Sequence, residues 1–154
     1  MTVRPDEMDP PSLRAGYVTH TVVLDGVETS LVSKPGVFAW DRLDEGTARL
    51  IDSMAVSAGD RVLDLGCGTG LAGLAAARRI PHGTVVLVDS DLRAVRSARY
   101  TLEANDIPNA DVRLSDGVSR IISQEPFDVV IINPPFHQGR EVHYNVAHQF
   151  VRDS

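Results

Sequence analysis

Asp64-Leu65-Gly66-Cys67-Gly68-Thr69-Gly70 sets a carboxylate two residues ahead of three alternating glycines. The run Arg61-Val62-Leu63 precedes it, and Leu71-Ala72-Gly73-Leu74-Ala75-Ala76-Ala77 follows as a helix. A strand that ends in glycines and turns into a helix brings backbone N–H groups and a positive helix end to one place. Glycines there keep side chains from holding a ligand away. Such a loop suits a nucleotide-like cofactor. A second chemical stretch is Asn133-Pro134-Pro135-Phe136, directly after the apolar run 127–132. A planar NH2 group is a poor nucleophile because its lone pair is delocalised. Acceptors from the Asn133 side chain and the Pro134 carbonyl can hold its two hydrogens and aim the nitrogen. Proline offers that carbonyl without a competing N–H and stiffens the turn. Phe136 can stack on a planar substrate. Catalysis of this kind is positioning and desolvation, with no strong base. The bland alternative is a turn that merely stops the chain.

The elements that must hold these residues alternate. Residues 18–24 and 27–33 are β-prone and flank Asp25-Gly26, a hairpin signal because both turn positions need positive φ. Over 41–54, Leu43, Leu50, Ile51 and Met54 share a helical face, with Asp41 or Asp44 as N-cap. Strands are expected at 61–65, 84–88, 110–114 and 127–132. Helices are expected at 70–79, 91–104 (Leu92, Val95 and Leu102 inward), 117–123 and 140–154. Apolar strands separated by helices imply an α/β fold with a doubly wound parallel sheet, preceded by a hairpin and a helix. Ligands of such sheets lie beyond the strand carboxyl ends, where strand order reverses. Asp64, Asp89, Asp116 and Asn133 fall at those ends. Residues 1–15 read as a disordered tail, and 16–154 as one domain.

The cofactor must be told apart from a dinucleotide. Gly68-Thr69-Gly70-Leu71-Ala72-Gly73 also matches G-x-G-x-x-G, and Asp89 follows about 20 residues on, as a nicotinamide enzyme wants. Asp64, however, would repel a pyrophosphate and suits a cofactor with a positively charged amino-acid end. The pattern Asp64-x-Gly66-x-Gly68-x-Gly70, with an acid after the next strand, resembles the class I S-adenosylmethionine (SAM) methyltransferases. The resemblance implies that Asp64 and the loop with Gly66, Cys67, Gly68 and Gly70 face the methionine part. It also implies that Asp89, with Ser90 beside it, takes the ribose hydroxyls, and that Asp116 and Gly117 meet the adenine. Asp91 is the rival for the ribose, and helix N-capping is the structural alternative for 89–91.

Pro35-Gly36-Val37-Phe38, Leu43-Asp44-Glu45-Gly46-Thr47, the glycine loop and Asn133-Pro134-Pro135-Phe136-His137-Gln138-Gly139, in that order, resemble the "small domain" methyltransferase family. That family includes guanine-N2 methyltransferases of ribosomal RNA. The resemblance implies a SAM-dependent N-methyltransferase in which Asn133, Pro134, Pro135 and Phe136 are catalytic. Asn133, Phe38 and Thr47 become further cofactor contacts, and ribosomal RNA the partner. Asn-Pro-Pro-aromatic also serves protein glutamine and adenine amines, so those acceptors stay open. The family sheet continues into three more strands after the helix that follows Asn133. The sheet is therefore expected to be C-terminally truncated, with its fourth strand an edge. A homodimer or a partner chain would cover that edge. The reading from another class is a truncated SAM-binding module that acts with a partner.

A net charge of −6 argues against strong non-specific nucleic-acid binding. The single cysteine excludes an intrachain disulfide and fits a reducing compartment. No signal peptide or membrane-length apolar run is read, so a cytoplasmic protein is expected. His143 and His148 are spaced too far for one helical face, and with His137 they lack the company of a zinc site; no metal is expected. Cys67 reads as a small loop residue and not a nucleophile. Arg93, Arg96 and Arg99 form a solvated helix face.

Overall fold

In a computed structural model that describes residues 11–116, 121 and 125–134, the hairpin stands apart from the main sheet. Strands β1 (Val18–Leu24) and β2 (Val27–Ser33) pair antiparallel, Val18 opposite Ser33 and Leu24 opposite Val27. Asp25 and Gly26 take φ of 50° and 76°, as a two-residue hairpin turn requires. Helix α1 (Glu45–Ser53) is shorter than its apolar pattern, because Asp44 and not Asp41 caps it by accepting from the Thr47 N–H. Ile51 is buried, and Leu43, Leu50 and Met54 pack beside it. Of the segment read as a tail, Pro11–Arg14 form a 3-10 turn. Arg14 pairs with Glu103 at 2.6 Å and lies over the Tyr100 ring.

The main sheet holds β3 (Arg61–Leu65), β4 (Thr84–Asp89), β5 (Ala110–Leu114) and β6 (Val129–Ile132) in the order β5-β4-β3-β6. All neighbours are parallel, with Asp64 opposite Leu87 on one side and Ile131 on the other. The order reverses beside β3, so the crevice of such a sheet opens where the glycine loop begins. Among the described residues β6 is the last strand on its side of the sheet. Both sheet faces are covered, which explains the continuous apolar strands. Val62, Val85 and Leu87 pack with α2 (Leu71–Arg79) and α3 (Leu92–Ala104) on one face. Leu63, Val86 and Val88 pack with Ile121 and Phe127 on the other. Val95 and Leu102 point inward as expected, but Leu92 is 45% exposed. It is the first residue of α3, directly after the N-cap Asp91. The helices expected over 117–123 and 140–154 lie outside the described residues.

Polar side chains of α3 tie the hairpin down. Asn105 accepts from the Ser30 N–H at 2.9 Å and donates to the carbonyls of Ser30 and Thr101 at 2.8 and 2.7 Å. Thr101 accepts from the Val32 N–H at 3.0 Å, and Ser97 donates to the Val32 carbonyl at 2.7 Å. The free edge of β2 thus finds side chains in place of a neighbouring strand, which satisfies backbone groups that cannot be left unpaired. Asn105→Ala is expected to cost about 1–3 kcal/mol, because Ser30 keeps buried groups without a partner. Thermal denaturation checks this, and an unchanged melting temperature would show that the hairpin is held otherwise.

Candidate functional site

A cavity of about 620 Å³ opens at the carboxyl ends of the strands. Asp64 lies within β3, Asp89 ends β4, Asp116 follows β5, and Asn133 follows β6; all four line the cavity. Phe38, Thr47, Gly66, Cys67, Gly68, Ser90 and Pro134 line it as well. Gly70 does not. Its backbone is left-handed (φ 87°), and a Cβ there would stand 2.9 Å from the Ala98 Cβ, so its absent side chain lets α2 and α3 approach. Gly117, Pro135 and Phe136 lie outside the described residues, as do His137, His143 and His148.

Asp64 is the least ordinary group of the site. It is 3% exposed, and its Oδ2 has no hydrogen-bond partner among the described residues. Burial pushes its carboxyl up to about 7; the Gly73 backbone N–H pulls it down and the charge of Asp89 adds to the rise. A Cβ at Gly73 would lie 2.9 Å from Asp64 Oδ2 and 2.4 Å from Leu87 Cδ2, so glycine makes room for the carboxylate. A buried carboxylate with one oxygen left unpartnered calls for a cation or further N–H donors.

The glycine loop works differently from the simple cradle its sequence suggests. Gly66 and Cys67 donate their N–H groups to the Val88 carbonyl at 2.8 and 2.9 Å, and Gly70 donates to the Cys67 carbonyl. Gly68, at φ 54°, donates to Asp89 Oδ2 at 2.9 Å. These amides hold the loop's own shape. In the first turn of α2 the Gly73 N–H is engaged by Asp64, and the orphan N–H groups of Leu71 and Ala72, which line the cavity, are left for a ligand. Cys67 is buried, and burial, with Asp64 and Asp89 nearby, raises its thiol well above its ordinary range. That is an inert thiol, in keeping with a small loop residue.

The rivals at the end of β4 have separate duties. Asp91 caps α3 by accepting from the Arg93 N–H, and the Arg93 guanidinium pairs with it at 2.9 Å and holds its carboxyl below the usual range. Asp89 Oδ1 accepts from the Asp91 N–H at 2.9 Å. With one bond on each oxygen, Asp89 still has lone pairs to offer. Arg93 is thus committed to Asp91, and Arg96 and Arg99 are half-buried.

Asp44, Asp64, Asp89, Asp91 and Asp116 all line the cavity, and no lysine or arginine does among the described residues. Sequence reasoning missed Asp44, whose capping role hid it, and Ser115. This charge repels a pyrophosphate and favours a ligand carrying positive charge and hydroxyl donors. Among the described residues no cluster of histidine, cysteine and acidic side chains could hold a metal. Phe38, 66% exposed, stands at the mouth. Asn133 Nδ2 donates to Thr47 Oγ1 at 2.9 Å, which joins the end of β6 to the first turn of α1.

Residues 28–154 match the family described as methyltransferase small domain. Curated relatives include the ribosomal RNA small subunit methyltransferase C of Hahella chejuensis, 44% identical, with 80% of this chain and 35% of that protein covered. The protein of that name from Pseudomonas aeruginosa is 36% identical, with 92% and 42% covered. The chain therefore spans less than half the length of these relatives. The crystal structure of Trm5b from Pyrococcus abyssi superposes with a TM-score of 0.57 at 20% identity, over 79% of this chain and 34% of that one. That of precorrin-6Y C5,15-methyltransferase from Geobacter metallireducens does so at 0.54 and 14%, over 64% and 51%. Both share the doubly wound fold.

Proposed function

Because the chain belongs to the methyltransferase small domain family, we propose that it binds S-adenosylmethionine and methylates an exocyclic amine, guanine N2 of small-subunit ribosomal RNA. The observation that carries the cofactor is the cavity wall of five carboxylates with no basic side chain among the described residues. It fits a ligand with an ammonium and a sulfonium and opposes a dinucleotide. Asp64, with Oδ2 unpartnered, takes the ammonium. Asp89 takes the ribose hydroxyls and Asp116 the adenine amine, while Gly66, Gly68 and Ser90 line the cavity beside them.

When bound, the cofactor supplies a methyl group on a positively charged sulfur, open to attack by an amine. The chain's part is to present that amine. Asn133 Oδ1 and the Pro134 carbonyl accept its two hydrogens, which turns the nitrogen toward the methyl, and Pro135 and Phe136 complete the motif with a stiff turn and a stacking surface. The apolar strand ends beneath, Leu65, Val88 and Ile132, keep water from the reacting atoms. Ribosomal RNA as the acceptor rests on the names of the relatives. A cytoplasmic location follows from that proposed acceptor alone; among the described residues no helix is long and apolar enough to cross a membrane.

Small-subunit ribosomal RNA transcribed in vitro, incubated with methyl-labelled cofactor, is expected to yield N2-methylguanosine on nucleoside analysis. Label in adenine, or in a protein glutamine only, would overturn the acceptor. Asp89→Ala is expected to weaken binding of S-adenosylhomocysteine by about 1–3 kcal/mol, the range for unpaired polar groups. Unchanged affinity in a calorimeter would remove Asp89 from the ribose site.

A further inference from the structure

We infer that Thr47 is a positioning residue whose hydroxyl anchors the Asn133 carboxamide and so presents its oxygen to the acceptor amine. The inference rests on the methyl-transfer reading and gives Thr47 a different part from cofactor contact. Asn133 Nδ2 donates to Thr47 Oγ1 at 2.9 Å, across 86 positions of chain. The terminal torsion of an asparagine is soft and broad, so a carboxamide at the end of a strand needs an outside anchor. Thr47 is a stiff one. Its side chain is β-branched and confined in a helix, and its backbone N–H is held by Asp44 Oδ2 at 3.1 Å. The residue before it leaves the necessary space: a Cβ on Gly46 would stand 3.2 Å from both Asn133 Oδ1 and Asp44 Oδ2. With Nδ2 engaged, Oδ1 is the acceptor that no hydrogen bond of the described residues consumes.

The chain thus runs Asp44 to Thr47 to Asn133, from a helix cap to the proposed reacting nitrogen. Thr47→Val keeps the shape and removes the hydroxyl, Thr47→Ser keeps the hydroxyl, and Asn133→Ala serves as the reference. The first reading needs no turnover. In nitrogen-15 spectra the Asn133 side-chain amide, assigned by its loss in Asn133→Ala, is expected to be protected from hydrogen exchange. Thr47→Val should abolish that protection and Thr47→Ser restore it. In the second, Thr47→Val is expected to slow transfer to in vitro transcribed small-subunit RNA roughly 10–100-fold at saturating cofactor, the scale of a misplaced reactant. Its S-adenosylhomocysteine affinity should stay within about twofold, well under the effect of a lost hydrogen bond.

An unchanged amide signal in Thr47→Val overturns the inference. So does weakened S-adenosylhomocysteine binding with an unchanged saturated rate, which would make Thr47 a cofactor contact. Full-rate transfer by Asn133→Ala would instead strike at the proposed role of the motif itself. An inactive Asn133→Ala beside a fully active Thr47→Val would end the positioning role alone.

Discussion

Asn133→Ala is expected to lower methyl transfer by roughly 100-fold or more while the protein stays folded and still binds S-adenosylhomocysteine. The size follows from what the side chain is proposed to do. A delocalised amine has no reactive lone pair until its hydrogens are held out of the ring plane. Removing one such preorganised contact costs on the order of 100–1,000-fold in comparable sites. The cost to stability should be about 1 kcal/mol, because the variant gives up one hydrogen bond, to Thr47. Single-turnover transfer, calorimetry and thermal denaturation together separate these effects. Full transfer by the variant would remove the Asn-Pro-Pro-Phe turn from the mechanism and leave it as a chain stop.

Asp64→Asn is expected to do two opposite things: to cut cofactor affinity at least tenfold, and to stabilise the ligand-free protein at alkaline pH. The sign follows from the buried carboxyl, raised from 3.8 to about 7. A group with a raised folded value contributes stability that is complete below about 4 and is lost as pH rises through about 7. Above that, the folded chain holds an ionised carboxylate whose Oδ2 has no partner among the described residues, a burden of a few kcal/mol. Asparagine has the same shape and no charge. The two proteins should melt most alike near pH 4, and the variant should melt progressively higher as the pH is raised to 8. Adding S-adenosylhomocysteine at pH 8 should raise the melting temperature of the parent far more than that of the variant. A variant that is no more stable at pH 8 would show that Asp64 is solvated or paired, and unchanged affinity would take it out of the proposed site.

The parts of this arrangement legible in the sequence are those set by local pattern. Asp25-Gly26 admits a two-residue turn between β-prone runs. The apolar strands are continuous because Val62 and Leu63, or Val85 and Val86, pack into cores on opposite faces of the sheet. A parallel sheet then brings its strand ends together, which is why residues as far apart as Asp64, Asp89, Asp116 and Asn133 line one cavity. What the sequence concealed are contacts between distant side chains. Asn105 looks like a helix-ending residue, and nothing near it announces that it holds Ser30. Thr47 looks like a first-turn residue, and its tie to Asn133 depends on the start of α1 standing beside the end of β6. The glycine loop misled in a more instructive way. Its spacing marks the turn, but its amides close on Val88 and Asp89, so they serve to hold the loop around the carboxylates. Gly70 matched the same spacing, yet its place is against Ala98.

Calorimetric titration of the purified chain with S-adenosylhomocysteine, with NAD as the control, addresses the central claim directly. The carboxylate-lined cavity predicts saturable binding of S-adenosylhomocysteine and none of NAD. Binding of NAD alone, or of neither ligand by a folded protein, would contradict it.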